Sequence, residues 1–213
     1  MGEEVHFIFT VGVVVLVVLI SVFIYLIAKT HRRKTIAAWE QAATELGFNF
    51  TPPGTFGKYT MSGMIGQQLS CSVWAHTESH GKHSTTYMNY DVTFSQPLNL
   101  GLVVKREGAI LGKIAKLSGK QDIHTNNHAF DSAFTIKGAD EYKVKEFLTP
   151  HIQSKLLEAR NMLNNLELSD FSVKSIRMRG FIRKPEILVQ NVKLLIQLAE
   201  LIIPNEEVDS IFG

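Results

Sequence analysis

The sequence predicts an α+β protein on a membrane helix: an N-terminal transmembrane helix followed by a cytoplasmic domain in which an antiparallel sheet is covered by helices. Three observations lead there. Residues 7–28, FIFTVGVVVLVVLISVFIYLIA, carry Thr10, Ser21 and Tyr25 as their only polar side chains. Between residues 58 and 107 apolar and polar side chains alternate with the period of two of half-buried strands. After residue 139 the apolar spacing changes to the threes and fours of amphipathic helices.

A helix over 7–28 rises roughly 33 Å, enough for a hydrocarbon core of about 30 Å. Glu3 and Glu4 precede it where a signal peptide would carry bases, and no small-x-small cleavage site follows, so the expected element is an uncleaved anchor. Gly2 lacks a Ser or Thr at the sixth position, and no lipobox-like Cys follows the span, so the helix and not a lipid is the expected anchor. Lys29, Arg32, Arg33 and Lys34 follow the span, whereas residues 1–6 hold two acids and no Lys or Arg. The positive-inside rule then puts the N-terminus outside and the bulk of the chain in the cytoplasm of a cell with an inner (plasma) membrane. The expected division is an extracytoplasmic 1–6, the span 7–28, a basic flank, juxtamembrane helix and linker over 29–54, the α+β domain 55–204 and a tail 205–213.

The flank accounts for the basic balance, because residues 35–213 hold 18 Lys/Arg and 18 Asp/Glu. A neutral domain lacks the electrostatic footprint of a nucleic-acid binder, so no nucleic acid is expected among its partners. The single Cys71 excludes an intrachain disulfide and falls among the alternating Leu69, Val73 and Ala75, which predicts a buried side chain.

Ile36, Trp39, Ala43 and Leu46 mark a juxtamembrane helix stopped by Gly47, and TPPG at 51–54 breaks the chain. Leu69–Cys71–Val73, then Met88–Tyr90–Val92–Phe94, then Leu100–Leu102–Val104 predict successive strands of a meander, with the polar link HTESHGKHS at 76–84 as a hairpin tip. AILGKIAKL at 109–117 has the spacing of a short helix and AFTIKG that of a strand with Phe134 and Ile136 inward. Asp140 is placed to cap one helix, and Thr149 with Pro150 to start the next. A pair of strands at 166–181 precedes a helix from Pro185 to about Ile203. In that helix Glu186, Gln190, Lys193, Gln197 and Glu200 form one stripe opposite Leu188, Val192, Leu195, Ala199 and Ile202, a pattern of a helix on a sheet and not of a second span. Ile187, Leu194, Leu198 and Leu201 form a second apolar row, a candidate contact with another subunit, with a partner protein or with the juxtamembrane helix carrying Trp39, the alternative being burial within the monomer.

Residues 119–150, GKQDIHTNNHAFDSAFTIKGADEYKVKEFLTP, with the strand STTYMNYDVTF before them, resemble an uncharacterised family of bacterial membrane-anchored proteins of unknown function. The resemblance implies architecture and location, and no activity, cofactor or catalytic residue.

Metal candidates come in two groups. His124, His128 and Asp131 lie in a turn-rich segment, and HTNNH is a poor helix, so these residues are expected to serve as turn and cap formers. His76, His80 and His83, with Glu78, lie near the hairpin tip, where a metal-dependent enzyme would need three or four converging ligands. The sequence shows no nucleophile elbow, phosphate loop or dinucleotide fingerprint, so no catalytic residue and no cofactor is expected. Lys174, Arg177, Arg179, Arg183 and Lys184 fall in eleven residues without an acid, a strip suited to anionic lipid. The leading expectation is a membrane-tethered, non-catalytic interaction or assembly module, acting on a protein partner or a second copy. An anionic-lipid surface sensor is its first alternative, and an enzyme built on the hairpin histidines its second.

Overall fold

Between Gly12 and Gly47 the sequence contains neither glycine nor proline, so nothing in it interrupts a helix. In the computed structural model, which describes residues 2–54, 58–81, 83–106 and 122–203, α1 accordingly runs unbroken from Gly2 to Leu46. That is 45 residues, or about 67 Å of helix. Its side chains from Val13 to Ile27 are exposed on every side, which in water is untenable for an all-apolar helix. It is the one helix among the described residues long and apolar enough to cross a membrane, and it is consistent with single-pass anchoring.

The far end of α1 is inside the domain. Trp39, Ala42 and Ala43 are buried in the same core as the sheet, so the C-terminal part of α1 packs with the domain. Gly47, at φ +69°, ends the helix: its N–H donates to Thr44 O and that of Phe48 to Ala43 O, a left-handed cap that turns Phe48 inward. Phe48 lies over Gly63, where a Cβ would run into its ring.

The strands are β1 (Asn49–Thr51), β2 (Tyr59–Ile65), β3 (Leu69–His80), β4 (His83–Phe94), β5 (Val103–Arg106), β6 (Phe134–Lys137), β7 (Leu166–Ser169) and β8 (Ser172–Arg179). They form one antiparallel sheet in the order β1-β2-β3-β4-β8-β7-β5-β6. The expected meander therefore ends at β4. Leu100 and Leu102 precede β5 and are not part of it, and β5 pairs with β6 and β7, two strands away from β4. The cause is Asp170 between β7 and β8, whose carboxylate accepts the N–H groups of Leu100 (3.2 Å), Gly101 (2.8 Å) and Leu102 (2.8 Å) and holds the chain across the sheet end. The segment 109–117, expected to be helical, and the tail 205–213 lie outside the described residues.

The remaining helices are α2 (His128–Asp131), α3 (Glu141–Phe147), α4 (Pro150–Met162) and α5 (Pro185–Ile202). Asp140 caps α3 and Thr149 caps α4 with Pro150 at its first position, as their sequence signals predict. On α5 the stripe Leu188, Val192, Leu195, Ala199 and Ile202 is buried and the stripe Glu186 to Glu200 is exposed. This helix lies on β3, β4 and β8 with α1 on one flank and α4 on the other. Its buried Asn191 donates to the Tyr90 hydroxyl at 3.2 Å, satisfying both groups inside the core.

Trp39 joins the anchor to all of this: its ring stacks on Phe181 (centroids 5.9 Å) and tilts against Tyr59 and Phe50, while Nε1 donates to Ile182 O at 3.3 Å. Trp39→Ala should cost about 3–5 kcal/mol by the usual cost of emptying such a site. Denaturant unfolding of the full chain in detergent measures it, and a loss below 1 kcal/mol would mean that α1 is not part of the cooperative fold.

Candidate functional site

Direction along the domain is set by three contacts. Arg32 donates to the carbonyls of Pro53 (2.8 Å) and Gly54 (3.5 Å), so the loop after β1 lies on the side of the apolar segment. Trp39 meets Ile182 just before α5, and farther along both helices Lys193 pairs with Glu45 at 2.9 Å. The α1-entry end of the domain therefore holds Pro53, Lys58, the β3–β4 hairpin and residues 179–184.

The hairpin was the expected tip, 76–84. It is instead mostly ladder: β3 runs to His80 and β4 restarts at His83, with the turn at Gly81, φ +63°. Exposed polar side chains, which carry no burial signal, hid strand pairing that depends on the backbone. The extension also separates the candidate ligands. His80 and His83 are cross-strand partners, but His76 lies four residues up β3, roughly 13 Å away. Among the described residues no group of three or more His, Cys, Asp or Glu is placed to hold a metal.

His76 is occupied otherwise. At Asn89 the pairing of β4 with β8 shifts, and Arg177 adopts φ +56°, a left-handed conformation unusual for a side chain of its size. Buried Asn89 stabilises this bulge by accepting the Arg177 N–H at 3.0 Å and donating through Nδ2 to His76 Nδ1 at 2.9 Å. With Nδ1 as acceptor, Nε2–H of His76 donates to Glu78 at 3.2 Å. Glu78 in turn receives both guanidinium nitrogens of Arg177, at 2.6 and 3.0 Å, and the guanidinium lies 4.5 Å from the Tyr87 ring centroid. The circuit closes on itself. Arg177 and then His76, by hydrogen bonding, hold the Glu78 carboxyl below its ordinary range.

The basic strip is thereby divided. Arg177 is committed to Glu78, and Lys174, at 3.2 Å from Glu167, belongs to a row of side chains across the face of the sheet opposite α1 and α5. In that row Asp91, Lys174, Glu167 and Lys105 are successive cross-strand neighbours, with Lys105 3.1 Å from Glu167. Burial raises the Asp91 carboxyl above its ordinary value, and the Lys174 charge partly offsets this. Arg179, Arg183 and Lys184 remain exposed at the α1-entry end.

The second apolar row of α5 meets the juxtamembrane part of α1, one of the contacts its sequence allows. Leu194 and Leu198 are buried within the chain, because α1 and α4 flank α5, and Leu201 is half-buried. Of that row only Ile187 is exposed.

His124 and His128 take no common partner. Asn127 caps α2 by accepting from Phe130 N and donates to Gln153 Oε1 at 2.7 Å, while Asp131 accepts from the Thr125 N–H and hydroxyl. These are turn and cap contacts that deliver Phe130 and Phe134, 5.0 Å apart, to the core. Sequence reading missed Asn89, Asp170 and Asn191, whose partners lie far along the chain.

The chain matches no protein-family model, no curated protein and no solved structure.

Cys71, the single thiol, lies in the core, where burial and then the charge of Asp91 push it up to about 12. A thiol reagent at pH 8 should leave Cys71 untouched in the folded chain and modify it fully in denaturant. The linkage sign follows from the folded value lying above the unfolded value near 9: Cys71's contribution to stability is complete below pH 9 and is lost between 9 and 12. A melt of wild type against Cys71→Ala should show the wild type losing stability relative to the variant as pH rises from 9, and reaction of the native thiol at pH 8 would contradict its burial.

Proposed function

We propose that the chain is a single-pass protein of a bacterial inner membrane, N-terminus outside, whose α+β domain works on the cytoplasmic face as a non-catalytic interaction or assembly module. The observation that carries this reading is the unbroken α1 with Trp39 locked into the sheet. A domain on a flexible tether samples all orientations, whereas one built onto its own membrane helix presents the same surfaces at the same height. Such mounting suits a protein that positions something. Orientation rests on Lys29, Arg32, Arg33 and Lys34. The resemblance of residues 119–150 to bacterial membrane-anchored proteins is part of the same reading.

The surface offered to a partner is the face of the sheet that carries no helix among the described residues. α1, α2 and α5 approach from the side of Tyr59, Tyr90 and Phe134. The other face is a polar row from Ser62 through Ser72, Asp91, Lys174, Glu167 and Lys105 to Thr135, broad and electrically balanced.

Two measurements test the proposal. A reporter fused at Gly213 should be active only in the cytoplasm, and neutralising Lys29, Arg32, Arg33 and Lys34 should scramble that result. A photo-crosslinking residue at position 72, in cells, should capture a protein of defined mass or a second copy of the chain. Activity of the unmodified fusion outside the membrane refutes the orientation, and crosslinks to no protein refute the module.

A further inference from the structure

We infer that the α1-entry end of the domain is a second membrane contact, which engages anionic phospholipid headgroups through Lys58, Arg179, Arg183 and Lys184. This rests on the membrane reading above and adds the surface on which the domain lies.

Position comes first. From Trp39 back to Ala28, where the apolar segment ends, α1 rises roughly 16 Å. The β3–β4 hairpin projects in the same sense: Ala75 is the last β3 residue paired with β2, and five more residues carry β3 to His80, roughly 16 Å further. Arg32, bonded to Pro53 and Gly54, shows that the loop after β1 lies on this side too. The domain thus extends toward the bilayer about as far as the helix stands off from it.

Charge comes second. Lys58 precedes β2, and Arg179, Arg183 and Lys184 follow the bulge; all four are exposed, and among the described residues no ion pair links any of them to an acid. Glu78, the acid of the hairpin, is neutralised by Arg177. Elsewhere in the domain Lys105, Lys137, Lys145, Lys155, Lys174 and Lys193 each have a carboxylate partner. Four unpaired, exposed cations are therefore gathered at the one end that looks toward the membrane, next to the flank of α1, whereas the domain's other cations without a carboxylate partner among the described residues, Arg106, Lys143 and Arg160, are scattered singly.

Shape comes third. Between the hairpin and the Trp39 cluster is an open groove of about 580 Å³ lined by Lys58, Tyr59, Thr77, Thr86 and Phe181. Its cation, hydroxyls and aromatic rings are the groups that a phosphate headgroup and its glycerol would meet. Arg183 stands beside it, 6.0 Å from the Phe181 ring centroid.

The test uses the full chain in nanodiscs, with a nitroxide at Ser84→Cys on the hairpin and a nickel-chelating lipid as the relaxing agent. Native Cys71 is buried and does not compete for the label. In discs holding anionic phosphatidylglycerol, nickel accessibility of the label should be several-fold higher than in zwitterionic discs. The difference should vanish in about 1 M salt, where the Debye length is about 3 Å. It should vanish also in Arg179→Glu/Arg183→Glu/Lys184→Glu, whose melt should match the parent because all three side chains are exposed. Lys193→Glu, far from this end, should keep it. A label that responds equally in both lipids, or a triple variant that responds like wild type, overturns the inference. A chain that fails to enter the discs, being extracted by alkaline carbonate, overturns the membrane reading itself and is recognised before any label is read.

Discussion

Everything in this molecule depends on how Trp39 is held. A tryptophan eleven residues beyond an apolar span would ordinarily sit in a flank, but here its ring is fully buried among Phe50, Tyr59 and Phe181, and its indole N–H is satisfied by Ile182 O. Those four partners come from β1, β2 and the segment between β8 and α5, so a single side chain of α1 ties both ends of the domain's sequence to the anchor. Because α1 has no breaker between Gly12 and Gly47, the constraint is transmitted along helix and not along loop.

The fold is arranged around that junction. α5 lies beside α1 and buries the wide apolar face that sequence alone left half-assigned: one row on β3, β4 and β8, the other against its helical neighbours. The polar devices are placed where chain segments far apart in sequence must meet. Asp170 clamps the passage to β5, Asn89 holds the bulge that sends Arg177 to Glu78, and Asn191 meets Tyr90. Loss of Asp170 or Asn89 would leave backbone N–H donors unpaired, and loss of Asn191 would leave the buried Tyr90 hydroxyl without its donor, so the first two select a register of the sheet and the third seats α5 on it.

What was legible in the sequence had short-range causes. The long apolar helix, the caps Asp140 and Thr149, the inward Phe134 and Ile136, and the two stripes of α5 all follow from short-range patterns, and the structure has them. The α+β class followed from the same patterns. What was not legible depends on distant partners: β1, three residues long; the place of β5 beside β7; and the continuation of β3 and β4 through a polar link whose side chains give no periodic signal. The candidate site shows the same division. Five basic residues within eleven positions read as one strip, and only pairing with Glu167 and Glu78 separates Lys174 and Arg177 from Arg179, Arg183 and Lys184.

The rigid junction can be measured directly. Spin labels at Ser21→Cys in the apolar segment and Gln197→Cys on the exposed stripe of α5, in the full chain in nanodiscs, report the separation of span and domain by pulsed electron resonance. Native Cys71 stays unlabelled in the core. A continuous α1 locked by Trp39 predicts one narrow distance distribution that broadens in Trp39→Ala. A broad or multiple distribution in the wild type would place a hinge between span and domain and contradict the account.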